Sequence, residues 1–531
     1  MHLRLVLLPF LCVVAAFADT YPRQPGVDAL HYTFRLTLSD TTDQIDGEAS
    51  IDVRFTQDQM KELILDLTSI TSDGKGMTVT WASAPYSHVD NRLHLAVDPP
   101  ARSGERRQFT VRYHGIPAGG LRIIPNKYNE RTFFSENWPD NARQWLPMID
   151  HPYDKASSEF IVTAPSQYQV IANGLLEEQI DLGDGRRLTH WKEPTPIASW
   201  LNAIGVAQFA VHYAAPVKGA IPLQTWVSHQ DQAIGPAWFE PTARAALEFY
   251  SEYIGPYSYE KLANVAAAGV HGGTEHASAI FYGETRILDR PGTDLIAHEI
   301  AHQWFGDSVT EKDWDDVWLS EGFATYFTLL FKEHSQGRDA FVRGLEQSRQ
   351  QIFALEKMHP EFTVLSKNLD DMKRVTNPII YQKGAWSLHM LRKMMGDEKF
   401  WAGIREYYQR YRNTNASTAD FRKVMEEASG LQLDWFFEQW LSRAVLPALQ
   451  GTWSYDARSR KVQVNLEQTQ DGALYRLPLE IGIGGKVQSF EFGSKKQAFE
   501  FPSEQEPSAA LLDPDTWALV RIPKFEKVAR N

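Results

Sequence analysis

The chain has 531 residues, a formal net charge of −13 and no long run of basic side chains. That length is too great for one hydrophobic core, so two to four domains are expected. The acidic balance argues against nucleic acid as a partner, and sixteen tryptophans and twenty tyrosines read as core and sheet surface rather than a binding groove.

Residues 1–18 read as an export signal. Met1-His2-Leu3-Arg4 is a short basic start, Leu5 to Val14 is apolar, and Ala16-Phe17-Ala18 is an A-x-A cleavage site that leaves Asp19 as the new N-terminus. A periplasmic or extracellular location is expected. The only cysteine, Cys12, lies inside this segment. The mature chain is therefore expected to have no disulfide and no thiol ligand or nucleophile. Nothing later is long and apolar enough to read as a transmembrane segment.

From 19 to 214 a β-sandwich is expected. Tyr32, Phe34, Leu36 and Leu38 alternate with polar residues, as do Ala49, Ile51, Val53 and Phe55, then Leu93, Leu95 and Val97, then Phe109, Val111 and Tyr113. Period two in short runs split by Gly, Pro, Asp and Asn predicts an antiparallel sandwich. One stretch differs: Glu136 to Pro152 is rich in Trp and Pro. It reads either as a structural loop or as a loop reaching into the neighbouring domain's cleft.

From 215 to 446 the pattern turns helical. Trp238 to Ile254 is amphipathic, and Leu262 to Val270 is a small-residue strand candidate that runs into His271-Gly272-Gly273-Thr274-Glu275-His276. Gly272 and Gly273 let a backbone pass close to a ligand, and Glu275 after them is placed to meet a cation; a plain turn is the alternative. The run from Thr293 to Phe305 contains His298-Glu299-x-x-His302. On a helix, positions i and i+4 share one face, so both imidazoles can reach one Zn²⁺ ion. Glu299 between them is then the general base for a water that the metal activates. Thr293 and Asp294 are expected to cap this helix. With eighteen residues between it and His302, Glu321 lies at the start of an apolar-periodic run through Phe323, Tyr326, Phe327 and Leu330 that predicts a second helix packed on the first. Two histidines and one glutamate leave a fourth zinc position open, the mark of a catalytic rather than a structural site. Sixty residues further, Tyr381 is either an oxyanion donor or an ordinary core tyrosine. Helices are expected over Phe400–Tyr411, Ala419–Ala428 and Leu433–Leu441. Asn415-Ala416-Ser417 is a glycosylation sequon, meaningful only in a eukaryotic secretory route.

From 447 to 531 alternation returns through Val462, Val464 and Leu466, then Leu477 to Ile483, then Phe490, Phe492, Phe499 and Phe501, with Leu519 and Ile522 closing a small second β-sandwich.

Four features in this order and spacing resemble the M1 (gluzincin) family of zinc aminopeptidases: the Gly272-Gly273-Thr274-Glu275-His276 loop, the His298/Glu299/His302 motif, Glu321, and Tyr381 before Lys383-Gly384-Ala385. The resemblance runs from about residue 30 to the C-terminus and implies a multidomain α+β protein with a thermolysin-like α/β zinc domain between the two β-sandwiches. It implies one zinc ion per chain on His298, His302 and Glu321, Glu299 as base, Tyr381 as transition-state stabiliser, and Glu275 as the partner of a free α-amino group. The expected substrates are peptides with a free N-terminus, and the expected state is a monomer. Two departures stand out. The family loop usually reads Gly-x-Met-Glu-Asn, so Thr274 should make its wall smaller and more polar, and His276 could add positive charge near Glu275 at low pH. The N-terminal-domain position that usually supplies a second amine partner matches Trp138, with Glu136 as an alternative. Many members also carry a large helical domain beyond the last sandwich, and without one a more open site is expected. Relatives include an epoxide hydrolase. A peptide-binding relative without activity would be expected to have lost a ligand, the base or the tyrosine, and all are present.

Overall fold

The computed structural model describes residues 19–287, 292–366 and 369–529. The expected export segment, with Cys12, lies outside them. Among the described residues no helix is long and apolar enough to cross a membrane.

The N-terminal alternation becomes sheet. Val27–Thr37, Ile45–Phe55 and Arg106–Ile116 are adjacent antiparallel strands of a seven-stranded sheet. Tyr32, Phe34 and Leu36 bury on one face while the residues between them are more open, as period-two side-chain geometry requires. The sheet is not purely antiparallel, however: Val27–Thr37 pairs in parallel with Ala156–Pro165. The connection between these two strands is more than a hundred residues long, ample for the crossover that parallel neighbours need. A three-stranded and a four-stranded sheet complete this part.

Next in sequence, Phe209–Val217 forms a hairpin with Ile221–Ser228 and opens the five-stranded sheet of the following domain. The expected boundary between residues 214 and 215 thus falls inside this strand. The inner strands Ile221–Ser228, Leu262–Ala267 and Ala279–Gly283 are parallel. Leu262–Ala267 is buried along its whole length, which is why it reads as an unbroken apolar run rather than an alternating one. The short strand Gly273–Thr274 pairs antiparallel on the outer edge. Eight helices follow or flank this sheet among the described residues: α1 (Gly235–Tyr253), α2 (Thr293–His302), α3 (Trp318–Gln336), α4 (Arg338–Met358), α5 (Ile379–Met395), α6 (Asp397–Tyr411), α7 (Thr418–Ser429) and α8 (Asp434–Leu441). Phe305, just after α2, sets its ring at a tilt against Phe323 and Phe327 of α3 at 4.7 and 4.9 Å, so the aromatic stripe of α3 fixes the end of α2.

The C-terminal part packs a four-stranded sheet against a three-stranded one, with Phe490 and Phe499 meeting across the two at 4.6 Å. It is fastened to the helical domain by His389 of α5, whose Nε2 donates to Thr516 O at 2.9 Å, and by Arg521 to Glu356 at 2.6 Å.

The Trp- and Pro-rich loop between residues 136 and 152 reaches the helical domain. Trp138 sets its ring edge-on to Trp200 at 4.6 Å and to Trp314 at 5.1 Å. Asn137 is fully buried and donates to Asn202 O at 2.6 Å. The sequon residue Asn415 is committed as well: its side-chain amide donates to Pro152 O at 2.7 Å and Glu311 O at 3.3 Å, so a glycan there would have to replace both bonds.

Candidate metal centre and amine subsite

Three elements converge on one point. α2 presents His298 and His302 one turn apart. The chain then turns at Gly306, whose φ of +117° is one that L side chains rarely adopt and whose added Cβ would lie 2.3 Å from Ser320 Oγ and 3.1 Å from His302 Nδ1. A short turn at Trp314–Asp316, held by Asp313 accepting from Asp315 N, leads into α3, which carries Glu321 in its first turn. His298 Nε2 lies 3.1 Å from His302 Nε2. Glu321 Oε2 lies 3.4 Å from His298 Nε2 and 3.3 Å from His302 Nε2.

These separations fit zinc. Bonds of about 2.0–2.1 Å in a tetrahedral arrangement put ligand atoms about 3.3 Å apart. Glu321 Oε2 is also a buried acceptor without a hydrogen-bond donor, a costly state that a cation at the centre of the triangle would relieve. The tautomer is set from outside the triangle. His302 Nδ1 lies 3.2 Å from Phe305 O, which can only accept, and 3.0 Å from Ser320 Oγ. With the ring hydrogen on Nδ1, the Nε2 lone pair is free to ligate. Burial would raise the Glu321 carboxyl, but the imidazoles of His302 and His298 outweigh it and hold the group well below its ordinary range.

Beside the triangle stands a second acidic group. Glu275, Glu299 and His302 bring side-chain ligand atoms within 4.8 Å of one another. Glu299 is buried, and burial, with Glu275 next, raises its carboxyl well above the ordinary value. Burial likewise pushes Glu275 up to about 7, against the pull of His302. Two like charges this close resist joint ionisation, so the pair is set to receive a cation. The glycines make room: a Cβ on Gly273 would fall 2.4 Å from Glu299 Oε1, and Gly272 has φ of +91°. Only an unsubstituted backbone can pass over that carboxylate. Tyr381 OH donates to Glu321 Oε1 at 2.8 Å, and its ring stacks parallel to His298 at 6.2 Å. Helix α5 thus brings its tyrosine to the triangle rather than into the core.

The two N-terminal-domain candidates separate. Trp138 is held between Trp200 and Trp314 by ring contacts. Glu136 lies on the Glu275–Glu299 side: it stands beside Thr274, is near enough to raise both carboxyls, and sits 3.9 Å from Arg122. Burial is the chief influence raising Glu136 itself. His276 departs from expectation. It is fully buried with its ring 4.8 Å from Phe281, and burial pushes its imidazole down to about 4. It stays neutral near Glu275 instead of adding charge at mildly low pH. The helix cap differs too: Gly292 takes the N-cap position of α2 without a side-chain bond. Thr293 and Asp294 lie inside the first turn, and Asp294 instead accepts from Lys332 at 2.7 Å. Sequence reasoning missed Ser320, Gln303 and Asp307, which touch the site from behind. Their only signal was adjacency, since Ser320 precedes one expected ligand and Gln303 follows another.

Residues 28–201 match the peptidase M1 N-terminal domain and residues 239–440 match the peptidase family M1 domain. A glutamyl aminopeptidase of Bos taurus is 29% identical over 331 residues, 59% of this chain and 34% of that protein. The tricorn protease-interacting factor F2 of Thermoplasma acidophilum is 30% identical over 476 residues, 86% of this chain and 58% of that protein. This chain therefore spans from about a third to somewhat over half of the length of these relatives. Among solved structures, an M1 zinc metallopeptidase from Deinococcus radiodurans, crystallised as a point mutant, superposes with a TM-score of 0.68 at 25% identity, over 80% of this chain and 96% of that one. With both family domains matched in order along most of the chain, and a solved member of the same family sharing the fold, this protein belongs to peptidase family M1.

Proposed function

We propose that the chain is an exported zinc aminopeptidase that releases N-terminal amino acids from peptides. The observation that carries this reading is the meeting of two arrangements: a ligand triangle with edges of 3.1–3.4 Å and a buried Glu275–Glu299 pair roofed by Gly273. His298, His302 and Glu321 would hold the metal. When bound, zinc supplies Lewis-acid polarisation of the scissile carbonyl and a lowered pKa for water.

The chain's own groups do the rest. Glu275 accepts hydrogen bonds from the substrate α-ammonium, and Glu136, on the Thr274 side, is the second carboxylate near it. This charge-assisted contact fixes the first peptide bond in register. A peptide without a free amine would leave the buried carboxylate unpaired, which is costly. Glu299 takes a proton from the attacking water on its carboxylate and returns it to the departing amine nitrogen as the C–N bond breaks. Tyr381 turns its phenolic hydrogen from Glu321 Oε1 to the developing oxyanion.

Aminoacyl chromogenic amides, each beside its N-acetylated twin and with or without chelator, test the reading. Cleavage of the free-amine compounds only, lost with chelator and restored by zinc, is expected. Equal cleavage of the acetylated twins would indicate an endopeptidase. Replacing Glu299 with Gln is expected to lower kcat by roughly a hundredfold or more with zinc retained, and undiminished activity in that variant would sink the assignment. The export reading rests on the pattern of residues 1–18, and N-terminal sequencing of protein recovered outside the cytoplasm, expected to begin at Asp19, checks it.

A further inference from the structure

Glu275 is buried, and a backbone N–H of the loop that carries it bonds its carboxylate, so its direction follows from that backbone. One side chain outside that loop holds this backbone at three points. Gln303 Nε2 donates to Glu275 O at 2.9 Å and, more weakly, to His276 O at 3.4 Å. Gln303 Oε1 accepts from Ser278 N at 2.9 Å, where the chain has a φ of +63°, and from Tyr257 OH at 3.1 Å. Gln303 is fully buried.

A carboxamide can present either end to a neighbour, so something must fix which way it faces. The loop itself does so, because the carbonyls of Glu275 and His276 can only accept and the Ser278 N–H can only donate; behind it, Asp307 Oδ2 adds a further acceptor for Gln303 Nε2 at 2.6 Å. The turn that carries Asp307 is held in its own right. Lys155, from the N-terminal domain, donates through Nζ to Asp307 O, Ser308 O and Thr310 Oγ1, each at 2.9 Å. A continuous set of hydrogen bonds thus runs from one domain through a turn and a single glutamine to the carbonyl of Glu275.

We infer that Gln303 is a positioning residue for the amine subsite, setting where the Glu275 carboxylate stands relative to the metal triangle. The inference rests on the aminopeptidase reading for its functional consequence, though not for its geometry. A support for the His302 end of α2 would act on metal retention and kcat. A support for the Glu275 loop acts on recognition of the free amine, and so on KM.

Gln303→Met keeps the size of the side chain and removes every bond. Gln303→Ala removes the same bonds and leaves room for water to meet the freed backbone groups. Both are made in the full zinc-loaded chain, with zinc content, kcat and KM measured on a free-amine amide and its acetylated twin, and amide exchange followed at Ser278. For Gln303→Met we expect KM on the free-amine compound to rise about tenfold, kcat to change by less than about threefold, zinc to be retained, and exchange at Ser278 to quicken. The preference for free over acetylated amine should shrink by the same factor as KM rises. Gln303→Ala should move KM in the same direction by a smaller factor. Loss of zinc, or a fall in kcat at constant KM, would overturn the inference. So would unchanged KM in Gln303→Ala, which decides the matter if Gln303→Met does not fold. If the unaltered chain cleaves no free-amine amide, the aminopeptidase reading falls separately, and unchanged exchange at Ser278 in Gln303→Met would still refute the positioning role.

Discussion

Tyr381 donates to Glu321 Oε1 across 2.8 Å, so its hydroxyl already stands at the edge of the ligand triangle. Moving that hydrogen to a developing oxyanion needs only a small rotation. Burial raises the phenol well above its ordinary value, as do the neighbouring carboxylates led by Glu321, so the group stays a donor throughout the working pH range. Tyr381→Phe removes the donor and keeps the ring against His298. A fall in kcat of about a hundredfold or more is expected, with KM little changed and zinc retained; steady-state kinetics beside metal analysis checks this. A larger rise in KM than fall in kcat would mean the tyrosine binds substrate rather than stabilising charge.

At the scale of elements, the site depends on how closely α3 and α5 approach, because one carries Glu321 and the other Tyr381. Gly322 and Gly384 face each other where the helices touch: a Cβ on Gly322 would lie 3.0 Å from Gly384 Cα and 3.2 Å from its carbonyl carbon. Both neighbours are backbone, so neither can swing away as a side chain would. Gly322→Val is therefore expected to force the helices apart, costing about 1–3 kcal/mol in stability and lengthening the Tyr381–Glu321 bond. Denaturant unfolding should show a lower midpoint, and the activity of the surviving folded protein should fall toward that of Tyr381→Phe. Full activity in a folded Gly322→Val chain would show that the helix separation is not critical.

At the scale of the whole molecule, His389 ties α5 to the C-terminal sheets. Its Nε2 donates to Thr516 O, and Nδ1 lies 3.2 Å from Tyr326 OH, so the ring serves in its neutral form. Burial pushes it down to about 3. Between its ordinary value of about 6.5 and that folded value, the unfolded chain binds a proton here that the folded chain does not. Stability contributed by this group is therefore complete above pH 6.5 and declines as pH falls, by about 1.4 kcal/mol for each unit. Comparing unfolding of the native chain with His389→Gln from pH 7 to pH 4.5 should show the native advantage shrinking steadily. A constant difference would remove His389 as the source.

What the sequence determined by itself is whatever depends on local period and short spacing. The imidazoles four residues apart in α2 follow from helix geometry, as do the alternating strands at both ends of the chain and the aromatic stripe on α3. A Gly-Gly pair before Glu275 signals a close approach, though not what is approached. The tertiary structure decided the rest because those relations join residues that no period connects. That Gly273 roofs Glu299, that Glu136 rather than Trp138 stands beside the Glu275–Glu299 pair, and that His276 is buried and neutral all follow from which distant segments of the chain meet. The parallel pairing of Val27–Thr37 with Ala156–Pro165 was hidden for the same reason: alternation fixes which face of a strand is buried and is silent about the direction of its neighbour. Gln303 shows the limit most plainly. Its bonds to Glu275, Ser278 and Asp307 exist only because the loop, the end of α2 and the following turn fold onto one another, and its position beside His302 in the chain gave no sign of which way its carboxamide would face.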